Sequence, residues 1–281
     1  MENDPRQETD PQEIEASRRV YEYLSQAIKI GNCLDELAQP RVGSRLRKDD
    51  SRVPTRRVSD YVHGQLTVAS GCLESLNRMI AQKNGDMVEM AASPFGPYAL
   101  IRNALDSLAV AIWLMQPESG TLRIKRLLQL HREEIQKQSF YMESMGREAD
   151  ANSFTKRQFD RLEEIALEAE LGDWNPMKKS NKLISATQML KDIDESGRKS
   201  NKWRYLGFWQ AASGHAHGKV WATVGGHESE VIPGTEHGTG ATYRITISYV
   251  LLSSFMWNAV DMLERAFNRY CYLAGHEQVI A

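Results

Sequence analysis

Cysteine is scarce: Cys33, Cys72 and Cys271 are the three in 281 residues, far apart and without a CxxC pair. That number and spacing argue against a disulfide framework and a cysteine-rich zinc site, and the reducing cytoplasm is the expected location. An excess of one charge is also missing. The 35 Lys and Arg face 37 Asp and Glu, so the total gives no sign of a nucleic-acid or membrane partner, although local clusters still matter. The N-terminus, Met1-Glu-Asn-Asp-Pro-Arg, is acidic and polar where a secretory signal is basic and then apolar. Arg102 and Asp106 interrupt the most apolar run, Tyr98 to Met115, and the run from Tyr249 to Val260 is too short for about 30 Å of hydrocarbon. A soluble protein without a membrane partner is expected. The chain has no GxGxxG after a strand, no GxxxxGK[ST], no HExxH and no GxSxG. The usual sequence arguments for a dinucleotide fold, a P-loop NTPase, a zincin or an α/β-hydrolase therefore fall away, and no cofactor is expected.

What is present is helical periodicity. Residues 1–11, with two prolines and almost no apolar side chains, read as a disordered leader. Helices are predicted over Pro11–Ala38, Ser59–Gln82 (ended by Lys83-Asn84-Gly85), Tyr98–Met115, Thr121–Met145, Phe154–Leu171, Leu183–Asp194, Ser200–His217 and Ser248–Ala274. The Tyr98 helix is apolar on nearly every side, the mark of a buried central helix. Around residues 229–246, β-branched residues between glycines predict a small hairpin. With no solenoid repeat and no long linker, the expected fold is mainly all-α, a single helical bundle over 12–281. Its segment 12–57 is expected as a peripheral flap or as a contact surface for a second subunit.

Three polar constellations stand out. The stretch 40–57 is a basic connector with Arg45, Arg47, Lys48, Arg52, Arg56 and Arg57 among its charges, either a solvated loop or an arm for phosphates. On the Tyr98 helix, Arg102, Asn103, Asp106 and Ser107 share one stripe. Tyr205, Trp209, Ser213 and His217 succeed one another at four-residue spacing on a later helix, whereas His215 points about 200° away from His217. One of the two histidines is therefore expected inward and the other outward, with His217 the better internal partner for Arg102 and Asp106. Such a pairing is an acid/base or anion site, or else a structural network that ties two helices together. The third constellation is His215, His217, His227 and His237, within 23 residues of one another. Imidazoles so grouped offer a metal alternative, although their spacing matches no zinc signature.

The motif Leu-Ile-Arg-x-x-Leu-Asp (Leu100 to Asp106), followed on a later helix by Ser-x-x-x-His-Gly (Ser213 to Gly218), resembles HEPN-type helical proteins and a group of uncharacterised bacterial helical proteins. The likeness covers Pro94 to Gly218. It implies a helical bundle, often dimeric, of the toxin–antitoxin or abortive-infection type. Many such proteins cut RNA, without metal, using an arginine four to six residues before a histidine. Four to six residues before His217 stand Ser213, Ala212 and Ala211, with Gln210 one further back and no arginine among them, whereas Arg126 lies five before His131. The resemblance thus implies His217 or His131 as proton carrier and Arg102 or Arg126 on the phosphate, with Ser213 and Asp106 beside them and the basic connector guiding RNA. The alternatives are a non-catalytic bundle that binds a protein partner or its own copy, and a metal-binding protein using His215, His227 and His237.

Overall fold

The computed structural model describes residues 9–84, 87–197, 204–238 and 240–277. Most of the expected leader, residues 1–8, lies outside that set, as do residues 200–203 at the start of the expected Ser200 helix. The fold is mainly α-helical, as the sequence predicts, and carries two small antiparallel hairpins where the sequence predicts one.

Helix α1 spans Pro11–Leu37 and starts where Asp10 accepts a hydrogen bond from the Gln12 amide at 2.8 Å. Its apolar stripe, Val20, Leu24, Ala27, Ile30 and Leu34, is buried against α3 (Val58–Ile80) and α10 (Tyr249–Ala274). The α1 carboxylate of Glu13 is itself buried. It accepts from Ser248 Oγ at 2.8 Å and from the amides of Tyr249 and Val250, and so holds the first turn of α10 by its unpaired N–H groups. The expectation of a peripheral flap is thereby corrected, because α1 is a structural layer of the bundle.

The basic connector is also more ordered than a loop. Ser44 caps a short helix α2 (Arg45–Arg52), accepting from the Arg47 amide at 3.2 Å. Its two acids are the anchors. Asp49 forms a buried ion pair with Arg123 of α5 (Gly120–Ser144) at 2.6 Å, and Asp50 accepts from the Ser59 amide and hydroxyl at 3.1 and 2.6 Å, holding the start of α3. Burial pushes both carboxyls above their usual range, against those donors.

Helix α4 (Gly96–Met115) is the centre, packed by α3, α10, α7 (Ala186–Gly197) and α8 (Arg204–Ala216). By length and composition α4 could cross a bilayer, yet most of it is buried inside the bundle. Helix α5 pairs with α6 (Glu148–Glu168) as an outer hairpin. Strands β1 (Ala81–Asn84) and β2 (Met87–Met90) form a hairpin at the end of α3, where the sequence predicts only a stop at Asn84-Gly85. A seven-residue helix α9 (Val220–Gly226) follows α8, absent from the sequence reading, and β3 (Glu228–Val231) pairs with β4 (Tyr243–Thr246) as expected. Ser248 caps α10, which ends at Gly275 with φ +76, a left-handed stop that glycine adopts without strain.

Candidate functional site

The predicted pairing of His217 with the α4 stripe does not form. Arg102 does bond Asp106, but the other Asp106 oxygen accepts from Trp209 Nε1 at 2.6 Å, and the Arg102 guanidinium lies over the Trp209 ring at 4.3 Å. His217 is exposed beyond the end of α8, and Ser213 is only half-buried. Helical drift explains the reversal. Each four-residue step turns about 40° past a full circle, so a row that faces inward at Tyr205 has rotated about 120° by His217. The buried stripe of α8 runs instead through Tyr205, Ala212 and His215.

His215 is 3% exposed and stacks on Tyr98 at 4.2 Å between centroids, with His227 edge-on at 4.8 Å. Among the described residues neither Nδ1 of His215 nor the Tyr98 hydroxyl reaches a hydrogen-bond partner. Burial, and then the neighbouring His227, hold the His215 imidazole down at about 4. Burial lowers His227 as well, with the Pro94 carbonyl acting in the opposite sense. His237 is not brought to them; it lies in the β3–β4 connection, bonded to the Thr235 carbonyl at 2.7 Å. Among the described residues no group of three or more His, Cys, Asp or Glu side chains is placed to hold a metal ion.

Arg126 and His131 also part company. Five residues along a helix separate them by about 140°. Arg126 turns to α4, donating to the Trp113 carbonyl and lying 4.4 Å over that ring. His131 turns instead to α3, where it meets the Tyr61 ring edge-on at 5.2 Å.

Here the structure assembles residues that the sequence left scattered. A pocket of about 460 Å³ between α3, α5 and α6 is lined by Thr55, Arg56, Arg57, Asp60, Tyr61, His131 and Arg161. His131 Nδ1 lies 3.1 Å from Glu134 Oε2, while the Tyr61 hydroxyl donates to Glu134 Oε1 at 2.6 Å. An ionised carboxylate only accepts, so Nδ1 carries the proton in this contact, and Nε2 of the neutral ring keeps its lone pair. Burial raises Glu134, but hydrogen bonds from His131 and Tyr61, the charge of Arg56 and that of the His131 ring whenever it is protonated more than offset this, so the carboxyl titrates below its usual range. Burial, then the Glu134 bond, push the Tyr61 phenol up, keeping it protonated.

The pocket is rich in arginine, with three guanidiniums on its lining against the carboxylate of Asp60 there and that of Glu134 behind His131 and Tyr61. Arg57 pairs with Asp60 at 2.7 Å and Arg161 with Glu164 at 2.9 Å. Arg56 donates to the neutral Gln158 amide at 2.7 Å; burial lowers its pKa, the nearby Glu134 carboxylate opposes this, and Arg161 adds a smaller lowering.

Of the other connector cations, Arg52 is committed to the Thr121 hydroxyl and the Ala169 carbonyl at 3.0 and 2.6 Å, and Arg45 pairs with Glu118. Arg47 and Lys48 remain exposed on α2. Glu134, Tyr61 and Arg161 escaped the sequence reading. For Glu134 a signal existed, since it follows His131 at i+3 on one helix, but nothing local announces Tyr61 or Arg161.

No family model matches the chain, and no curated protein and no solved structure matches it either.

Proposed function

We propose that the protein acts on RNA at the Arg56/Arg57/His131/Arg161 pocket, as a HEPN-like, metal-independent ribonuclease of the toxin or phage-defence type. The observation that carries this reading is the convergence of three arginines with an imidazole oriented by a carboxylate in one open pocket. Arginine suits phosphate because its planar fork donates two parallel hydrogen bonds. In this reading His131 Nε2 takes the proton of a ribose 2′-hydroxyl, the 2′-oxygen attacks phosphorus, and the 5′-oxygen departs with a proton from water. The arginines stabilise the charge that gathers on the non-bridging oxygens. Glu134 and Tyr61 hold the imidazole in its tautomer.

The test is binding of a labelled single-stranded RNA across a salt series. Each phosphate contact adds about 0.7 to the slope of log affinity against log salt. Arg56→Gln with Arg161→Gln is expected to reduce the slope by about 1.4 and to weaken binding at least tenfold. An unchanged slope would exclude the pocket as the RNA site.

A second reading is favoured by one observation. Phe140, Tyr141 and Met145 stand exposed together at the tip of the α5–α6 hairpin, a surface suited to a protein partner or a second copy. Sedimentation of wild type against Tyr141→Ser tests it, with loss of self-association as the expected result.

A further inference from the structure

A second cavity, of about 500 Å³, opens between α8, α9 and the start of α10, far in character from the arginine-rich pocket. Phe208, Trp221, Leu251 and Phe255 supply its apolar walls, and the chain carries no side chain or only a methyl at Gly207, Ala211, Gly225 and Gly226. The absence of bulk at these positions leaves a flat opening. Gly226 is also required by close approach, because a Cβ there would come within 2.8 Å of both the His215 ring and Leu251.

His215 lines this cavity while being 3% exposed, and its Nδ1 has no partner among the described residues. A buried polar atom left unpaired is costly, so a native structure that keeps one needs a reason. Among the described residues the only charged side chain on the lining is Arg204. Its guanidinium is already bonded to Asp261 and lies over the rings of Tyr205 and Trp257 at 4.5 and 4.6 Å. It offers little to an anionic ligand. Trp221, 62% exposed on the short α9, forms an outer wall that a ligand would cover.

We propose that this cavity binds a small, uncharged, planar aromatic molecule bearing one hydrogen-bonding group, seated among Phe208, Trp221 and Phe255 with that group on the His215 imidazole. The walls match a flat ring by stacking and edge contact. One polar group within an apolar lining fixes orientation, as in most small-molecule sites. The low pKa of His215 keeps the imidazole neutral at pH 7, in keeping with a neutral ligand. This inference is independent of the RNA reading, since the two cavities share no lining residue.

The test is ligand-detected NMR titration of the full chain with phenol and with toluene, two rings of similar size that differ in the hydroxyl. Phenol is expected to bind about tenfold more tightly, the worth of one hydrogen bond. His215→Phe is expected to abolish that preference, and Gly207→Leu to abolish binding of both. A Cβ at Gly207 meets nothing within 4 Å, so the leucine fills the opening without disturbing the helix. Ala211→Leu serves as a second blocking variant if thermal melting reveals that Gly207→Leu is unfolded. The proposal is overturned if neither probe binds wild type at millimolar concentration. It is equally overturned if toluene matches phenol in wild type, if binding survives the blocking variants, or if Gly207→Leu instead abolishes self-association, which would make a second copy the occupant.

Discussion

Acidification puts the buried histidine pair under direct strain, and replacing His215 by phenylalanine isolates its share. The His215 pKa falls from the ordinary 6.5 to about 4 in the folded chain. Between those values the unfolded chain binds a proton that the folded chain does not, so stability is fully present above pH 6.5 and is lost as pH falls toward 4. A displacement of that size corresponds to about 3 kcal/mol. His215→Phe preserves a ring against Tyr98, now 4.2 Å from the imidazole, and removes both the titration and the unpartnered Nδ1. The carboxyls of Asp49, Asp50, Asp194 and Glu264 are raised and act in the opposite sense, but they are present in both proteins and cancel in the difference. Urea unfolding at pH 7 and pH 4 is the assay. At pH 7 the two proteins are expected within about 1 kcal/mol of each other, the scale of one hydrogen-bonding group. At pH 4 the variant is expected to lead by about 3 kcal/mol more than at pH 7. A difference that stays constant over this range would refute the burial of His215 as a neutral, unpartnered group.

Two further outcomes follow from the same geometry. Arg123→Met removes the salt-bridge partner of buried Asp49, and urea unfolding at pH 7 is expected to reveal a loss of about 3–5 kcal/mol; a loss below about 1 kcal/mol would mean that Asp49 is solvated in solution. His217→Ala alters an exposed side chain beyond the end of α8. It is expected to change stability by less than about 0.5 kcal/mol and to leave RNA affinity as it is, and a large loss of affinity would restore His217 to the site.

The helices were legible because their apolar spacing and their punctuation agree. Pro11 opens α1, Ser119 caps α5 with its hydroxyl 3.4 Å from the Leu122 amide, and Gly275 stops α10. The hairpin β1–β2 was hidden because Asn84-Gly85 marks both a helix stop and a tight turn, and the strands beside it have four residues each. Short α9 had a weak signal in Val220, Trp221 and Val224, masked by the glycines around it. Four-residue spacing places His217 inward, but the row from Tyr205 drifts about 120° over three steps, which turns His217 out and leaves His215 on the buried stripe. The arginine-rich pocket draws its members from positions 55–61, 131 and 161 on three elements. Only packing brings these together, so periodicity along the chain could name Arg56, Arg57 and His131 but not their meeting.

In the proposed reaction His131 moves a proton at a phosphate held by arginines. Incubation of a defined single-stranded RNA with wild type and His131→Asn, in the presence of a chelator at pH 7, tests it most directly. Wild type is expected to yield 2′,3′-cyclic phosphate and 5′-hydroxyl ends, and His131→Asn to cut at least about 100-fold more slowly while RNA affinity changes by less than about threefold, the worth of roughly one exposed contact. Intact RNA with wild type, or cleavage that His131→Asn leaves unchanged, would contradict the account.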